Sequence, residues 1–193
     1  KRPILRQPLF QRNLQSERLM DPNRIKKLAS KYFEKTVEMR RHIHANPELS
    51  YQEYETAKYV ATQLREMGLE PIEGVAETGI TVLIKGKNPD KKVIALRGDM
   101  DALPIQEDNE VPYRSKRDGV MHACGHDVHT SCVLGAALIL NELKEEFEGT
   151  VKLIFQPGEE KNPGGASLMI AAGVLEHPET ERIFGQHVMP YIP

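Results

Sequence analysis

The sequence predicts an α/β fold, a mixed, largely parallel sheet flanked by helices. Two short apolar runs, Val93-Ile94-Ala95-Leu96 and Val151-Lys152-Leu153-Ile154-Phe155, have the length and β-branched content of buried strands. A mostly apolar helical stretch lies between them, and that alternation implies crossover connections and parallel pairing. Residue types that bind metals or move protons sit at the ends of successive strands: Asp99 and Asp101, then Glu159 and Glu160, then His187. In an open α/β sheet those ends converge on one edge, where ligands bind.

The elements follow in order. Asp21-Pro22 reads as an N-cap followed by proline at the first helical position. Ile25, Leu28, Tyr32, Phe33 and Val37 then recur at helical spacing to about residue 44, where Asn46-Pro47 ends the helix. Ser50-Tyr51-Gln52-Glu53 has the form of a capping box, predicting a second helix over 51–67 with Gly68 as its stop. Residues 80–85 alternate as a strand and break at Gly86. Residues 104–119 are polar and irregular, as in a surface loop. Residues 128–147 read as a largely buried helix, on which Cys132 is expected to be core rather than ligand. Gly164-Gly165 opens a short helix that Gly173 closes, and Ile183-Phe184-Gly185 leads to His187.

Composition narrows the function. The 193 residues suffice for one domain, or one domain with a piece of another. A formal charge of −2 gives no reason to expect nucleic acid or an anionic membrane as partner, and no apolar run approaches a bilayer-crossing length. Two cysteines, Cys124 and Cys132, make no disulfide framework, and one lies in a candidate metal motif, which suggests a reducing compartment and a cytoplasmic location. Residues 1–19 are basic and lack a continuous apolar segment, so they are read as a leader or tag without order of its own, with the catalytic portion over 20–193.

The densest chemistry is Met121-His122-Ala123-Cys124-Gly125-His126-Asp127-Val128-His129. Histidine and cysteine are preferred zinc ligands, and Cys124 and His126, two apart, point the same way in an extended segment. Gly125 between them leaves room for an ion. A histidine-rich surface turn is the bland alternative, and the carboxylates at the strand ends count against it. His42 and His44, two apart near a helix end, face different ways and are expected to be structural.

Four motifs together, Gly98-Asp99-Met100-Asp101-Ala102-Leu103-Pro104, Met121 to Asp127, Gln156-Pro157-Gly158-Glu159-Glu160 and Gly185-Gln186-His187, resemble the M20 metallopeptidase family, most closely its amidohydrolase branch. Arg41-His42-Ile43-His44-Ala45-Asn46-Pro47-Glu48-Leu49-Ser50 resembles that branch's opening segment. The resemblance implies a zinc-exopeptidase-like catalytic domain. It implies a centre for two divalent ions, zinc, manganese or cobalt, held by Cys124, His126, Glu160 and His187. Glu159 would be the general acid/base, and Asp101 would support the site from behind. Asp99 stands where other branches carry a histidine ligand and is not counted as one. The implied substrates are N-acyl amino acids or small peptides, and the complete protein is expected to be a homo-oligomer. Only the first half of the family pattern is matched. The lid or dimerisation domain and a further histidine ligand are absent from this stretch, which leads one to expect weak or single-site metal binding and an exposed apolar patch or open strand edge.

Two other readings stay open at this point. Cys124 could be a thiolate nucleophile with His126 or His129 as its base, which leaves Glu159, Glu160 and His187 without a role. The chain could also be a metal-binding fragment without catalytic competence.

Overall fold

The computed structural model describes residues 21–189. The leader expected over residues 1–19 lies outside them. Helix α1 spans Pro22–Ala45, and Asp21 caps it by accepting a hydrogen bond from the Asn23 amide at 3.0 Å. Helix α2 spans Tyr54–Glu66 and starts three residues later than predicted. The capping box does not form: the Ser50 hydroxyl donates to Asp101 instead, and the Glu53 carboxylate is buried against Thr78 and Gly158. A more distant side chain takes over, since Glu48 accepts from both the amide and the hydroxyl of Thr56 in the first turn.

The strands are β1 (Ile72–Val75), β2 (Gly79–Lys85), β3 (Val93–Asp99), β4 (Thr150–Gln156) and β5 (Arg182–Gly185), with helices α3 (His126–Glu142) between β3 and β4 and α4 (Gly165–Ala171) between β4 and β5. The sheet order is β1-β2-β4-β3-β5. Strands β4, β3 and β5 run parallel, while β2 and β1 are antiparallel to their neighbours, so the sheet is mixed with its parallel part on the side of the site. Strand β1 was not predicted. It is a short, mostly exposed strand interrupted by Gly74 and a register shift, and it carries little apolar periodicity to read.

Alternation along β4 sorts the two faces. Val151, Leu153 and Phe155 join Ile80, Val82 and Ile84 of β2 under Met39 of α1, Val60 and Leu64 of α2, and Leu134 and Ala137 of α3. Ile154 joins Ala95, Met169 and Val174 on the α4 side. Burying each of the large aliphatic side chains contributes about 1.5–3 kcal/mol, so this double-sided core dominates the stability. Lys152 points to the α4 side and is buried. Its Nζ donates to the carbonyls of Val174 and Pro178 at 2.6 and 2.8 Å, tying down the segment that leads into β5. Burial lowers its pKa.

Gly98 lets α3 sit directly on β3, because a Cβ there would lie 3.0 Å from the His129 carbonyl oxygen. Registers place Asp99 level with Gln156 and Arg97 level with Gly185, so β3 and β4 end together and β5 ends two residues short of them, on the same edge of the sheet. Strand β5 is an edge among the described residues, and Ile183 and Phe184 on its two faces are 51% and 53% exposed. Among the described residues this edge of the sheet, beside the site, carries no further strand.

Candidate metal centre

Helix α3 begins at His126, two residues earlier than predicted, because Gly125 adopts φ 98°, a left-handed conformation suited to glycine. Cys124 and His126 therefore share a site through a turn into a helix, not through an extended segment. A Cβ on Gly125 would lie 2.3 Å from Cγ2 of Val188, so its missing side chain also admits the β5 extension that carries His187. Cys124 Sγ lies 3.3 Å from His187 Nε2.

The imidazoles show how the site is wired. His126 Nδ1 lies 3.1 Å from Asp101 Oδ1 and donates to it, which leaves Nε2 as the lone-pair nitrogen. That Nε2 is buried without a hydrogen-bond partner, at 3.7, 3.9 and 3.8 Å from carboxylate oxygens of Asp99, Glu159 and Glu160. His187 Nδ1 donates to the Val188 carbonyl at 2.7 Å, so its Nε2 carries the lone pair that faces Cys124 Sγ. An outward Nδ1–H on an oxygen and an inward Nε2 lone pair is how a metal-ligating histidine is held. Donor atoms of Cys124, His126 and His187 lie within 4.8 Å of one another, as do those of His126, Glu159 and Glu160.

A third cluster, Asp99, His126 and His129, meets the same distance limit, but Asp99 and His129 are already engaged. Asp99 takes His129 Nδ1 at 2.7 Å on one oxygen and Arg97 Nη1 at 2.5 Å on the other. His129 Nε2 accepts the Val188 amide at 3.0 Å. With both ring nitrogens used, His129 is neither a ligand nor a free base. It links β3 to the segment beside His187. That role escaped sequence reasoning, since Asp99 and Val188 lie 30 and 59 residues from His129.

The electrostatics favour a cation. Burial pushes the Cys124 thiol up, and its hydrogen bond to Glu160 and the charges of Glu160, Asp99 and Glu159 push it further, to about 12. Burial opposes charge on His126, yet the Asp101 hydrogen bond and the Asp99, Asp101 and Glu160 charges outweigh it and raise its pKa. For Asp101 burial is again overcome, by hydrogen bonds from His126, Ser50 and the backbone of Glu160 and Glu159, and its carboxyl is held at about 2. A nucleophilic cysteine needs the opposite environment, one that depresses its pKa, so the thiolate-nucleophile reading does not fit. Orphaned His126 Nε2, its ring of carboxylates and the thiol nearby fit a divalent ion instead.

Both glutamates turn toward His126 Nε2, and Glu160 is the better held, with its amide donating to Asp101 Oδ2 at 3.0 Å. Cys132 lies on α3 outside all three clusters. His44, expected to be structural, is buried between Asp127 at 2.7 Å and Glu107 at 3.0 Å, and His42 stacks on Tyr59. His122 belongs to the cysteine-histidine motif but sits in the interior, its ring centroid 6.4 Å from that of His44. Burial lowers its pKa to about 4.

Such an edge, with free imidazole nitrogens, a thiol and carboxylates at the ends of parallel strands, is the donor set of a metal-dependent hydrolase. Comparison with known proteins narrows the class. Peptidase family M20/M25/M40 matches residues 95–193, and the chain belongs to that family. It is 46% identical over 168 residues to N-acetylcysteine deacetylase of Bacillus subtilis, covering 86% of this chain and 43% of that protein. It is 48% identical over 153 residues to hippurate hydrolase of Campylobacter jejuni, covering 79% and 39%. Among solved structures, the Bacillus subtilis YXEP protein, a dinuclear metal binding peptidase from the M20 family, superposes with a TM-score of 0.79 at 45% identity, covering 85% of this chain and 45% of that one. The chain thus spans about two fifths of the length of these curated relatives. Among the described residues no helix is long and apolar enough to cross a membrane.

Proposed function

We propose that this chain carries most of the metal centre of a cytoplasmic amidohydrolase that cleaves N-acyl amino acids or small peptides to a carboxylic acid and a free amino acid. The observation that carries the reading is the paired wiring of His126 and His187, each with Nδ1–H on an oxygen and Nε2 turned inward, that of His126 unpartnered among carboxylates and that of His187 on Cys124 Sγ. Cys124, His126, Glu160 and His187 would hold two divalent ions of the zinc, manganese or cobalt kind. Bound there, the ions would polarise an amide carbonyl and lower the pKa of a water from about 15.7 towards about 7.

The chain's own residues do the rest. Asp101 fixes the tautomer of His126 and holds the Glu160 amide. Glu159, whose side chain is 43% exposed, stands on the open side of the cluster. It takes the proton from the attacking water and returns it to the leaving amine nitrogen. Similarity to an N-acetylcysteine deacetylase and a hippurate hydrolase supports an N-acyl amino acid as substrate.

A second reading has an observation of its own. The exposed Ile183 and Phe184 of β5, next to His187, favour a catalytic domain that is completed, with its lid and oligomer contacts, by sequence beyond this stretch. Residues 20–193 would then be its N-terminal portion, and alone would bind metal without turnover. Glu159→Gln tests the first reading: metal content should be unchanged while hydrolysis of N-acetyl amino acids falls by about 10²–10⁴-fold. Wild-type turnover by the Gln variant would remove Glu159 from the mechanism. Assay of the 193-residue chain with added Mn²⁺ or Zn²⁺ separates the two readings.

A further inference from the structure

The segment Ser50-Tyr51-Gln52-Glu53 does not cap a helix, and its side chains close on the loop over 157–164 that carries Glu159 and Glu160. Glu53 Oε1 accepts the Gly158 amide at 2.7 Å, and its Oε2 accepts the Thr78 hydroxyl at 2.8 Å. At the far side of the loop the Tyr51 hydroxyl donates to the Lys161 carbonyl at 2.8 Å and accepts the Gly164 amide at 3.0 Å. Between these anchors the Tyr51 ring lies against Gly158, where a Cβ would come within 2.3 Å of a ring carbon. Tyr51 itself has φ 65°, a left-handed backbone that a bulky residue keeps only when its surroundings hold it there. Ser50 completes the set by donating to Asp101 Oδ2 at 2.6 Å, the same oxygen that receives the Glu160 amide.

We propose that Tyr51 and Glu53 are positioning residues, a clamp that sets where Glu159 and Glu160 stand relative to His126. The inference rests on the roles given above to those two glutamates. Glu159 lies between two anchored amides, Gly158 on Glu53 and Glu160 on Asp101, and so has little freedom to swing. The phenol spans the loop's two ends without touching the cluster, so losing its hydroxyl loosens the loop without removing any donor atom.

The test compares wild type with Tyr51→Phe, which keeps the ring and loses both hydroxyl contacts. Two readouts need no turnover: tryptic cleavage after exposed Lys161 in metal-free protein, followed by peptide mapping, and Co²⁺ affinity from its absorption spectrum. Cleavage should be roughly tenfold faster, since two bonds that hold the loop closed are gone. Cobalt affinity should fall by about 10–100-fold, the usual loss on removing a support behind a ligand. With an N-acyl amino acid as substrate, kcat should fall while KM stays within about twofold. Glu53→Leu should repeat these losses, and Glu53→Gln should restore them, because its carbonyl can still accept the Gly158 amide while Thr78 turns its hydroxyl to accept. If Glu53→Leu does not fold, Tyr51→Phe decides alone. Cleavage and cobalt affinity in Tyr51→Phe within about twofold of wild type would overturn the proposal. If wild type binds cobalt but hydrolyses nothing, the second reading of the function holds in place of the first, and the first two readouts still decide the clamp.

Discussion

Replacing Asp101 by asparagine probes the site through its least replaceable support. The carboxylate meets His126 Nδ1 on Oδ1 and the Ser50 hydroxyl and Glu160 amide on Oδ2, with the Glu159 backbone adding to its hold. Its hold on the charged form, down to about 2 from an ordinary 3.8, corresponds to about 2 kcal/mol. Asparagine keeps the shape but has one acceptor and one donor end. With its oxygen toward His126, the NH₂ faces the Glu160 amide, which can only donate, and a buried donor is stranded at about 1–3 kcal/mol. With its oxygen toward Glu160, the NH₂ faces His126 Nδ1, the ring takes the other tautomer, and a proton occupies Nε2 where an ion should bind. Either outcome should weaken zinc binding by about 10–100-fold, or about 1.4–2.8 kcal/mol. Competitive titration against a chelator of known affinity measures it. Zinc affinity in Asp101→Asn within twofold of wild type would refute the tautomer argument.

Two further perturbations follow from the geometry. Gly125→Ala should weaken Co²⁺ binding by about tenfold or more, because the new Cβ meets Val188 Cγ2 at 2.3 Å and the backbone stays at φ 98°; Gly125→Ala with Val188→Ala should recover part of the loss, and no recovery would place the effect in the backbone alone. Metal-free protein should be most stable near pH 6.5. Above that, His44, raised mainly by its hydrogen bond to Asp127, and His126, raised by Asp101 and neighbouring carboxylates against its burial, lose their protons and their stabilisation. Below it, His122, lowered by burial to about 4, must give up a proton to fold, and at lower pH Asp101 and Asp127, lowered by their histidine partners despite burial, are protonated. Urea melts from pH 4 to 9 should trace that maximum, with a shallower alkaline limb in His44→Gln; stability that climbs steadily to pH 9 would contradict it.

The strands that carry the site were legible because a fully buried strand writes a plain apolar run, and β3 and β4 do so. The candidate ligands stood out because each stands where a strand or loop ends in a polar group that an ordinary turn does not need, and the fold brings Cys124, His126 and His187 together, and His126 with Glu159 and Glu160. Local pattern failed where a distant partner outcompeted it. Ser50 and Glu53 satisfy the capping spacing, yet Asp101, Thr78 and Gly158 hold their side chains, and none of those lies near them in sequence. The early start of α3 rests on the conformation of Gly125, which periodicity does not report. Strand β1 is an exposed edge, and such strands carry little pattern.

The central claim is that two ions sit among Cys124, His126, Glu160 and His187, with Asp99 and His129 behind them. Anomalous diffraction at the zinc edge from crystals soaked in Zn²⁺ tests it directly. The account expects two peaks about 3.5–4 Å apart, one of them within about 2.0–2.4 Å of His126 Nε2, and none on His129. A single ion held by Asp99, His126 and His129, with Glu160 and His187 untouched, would contradict it.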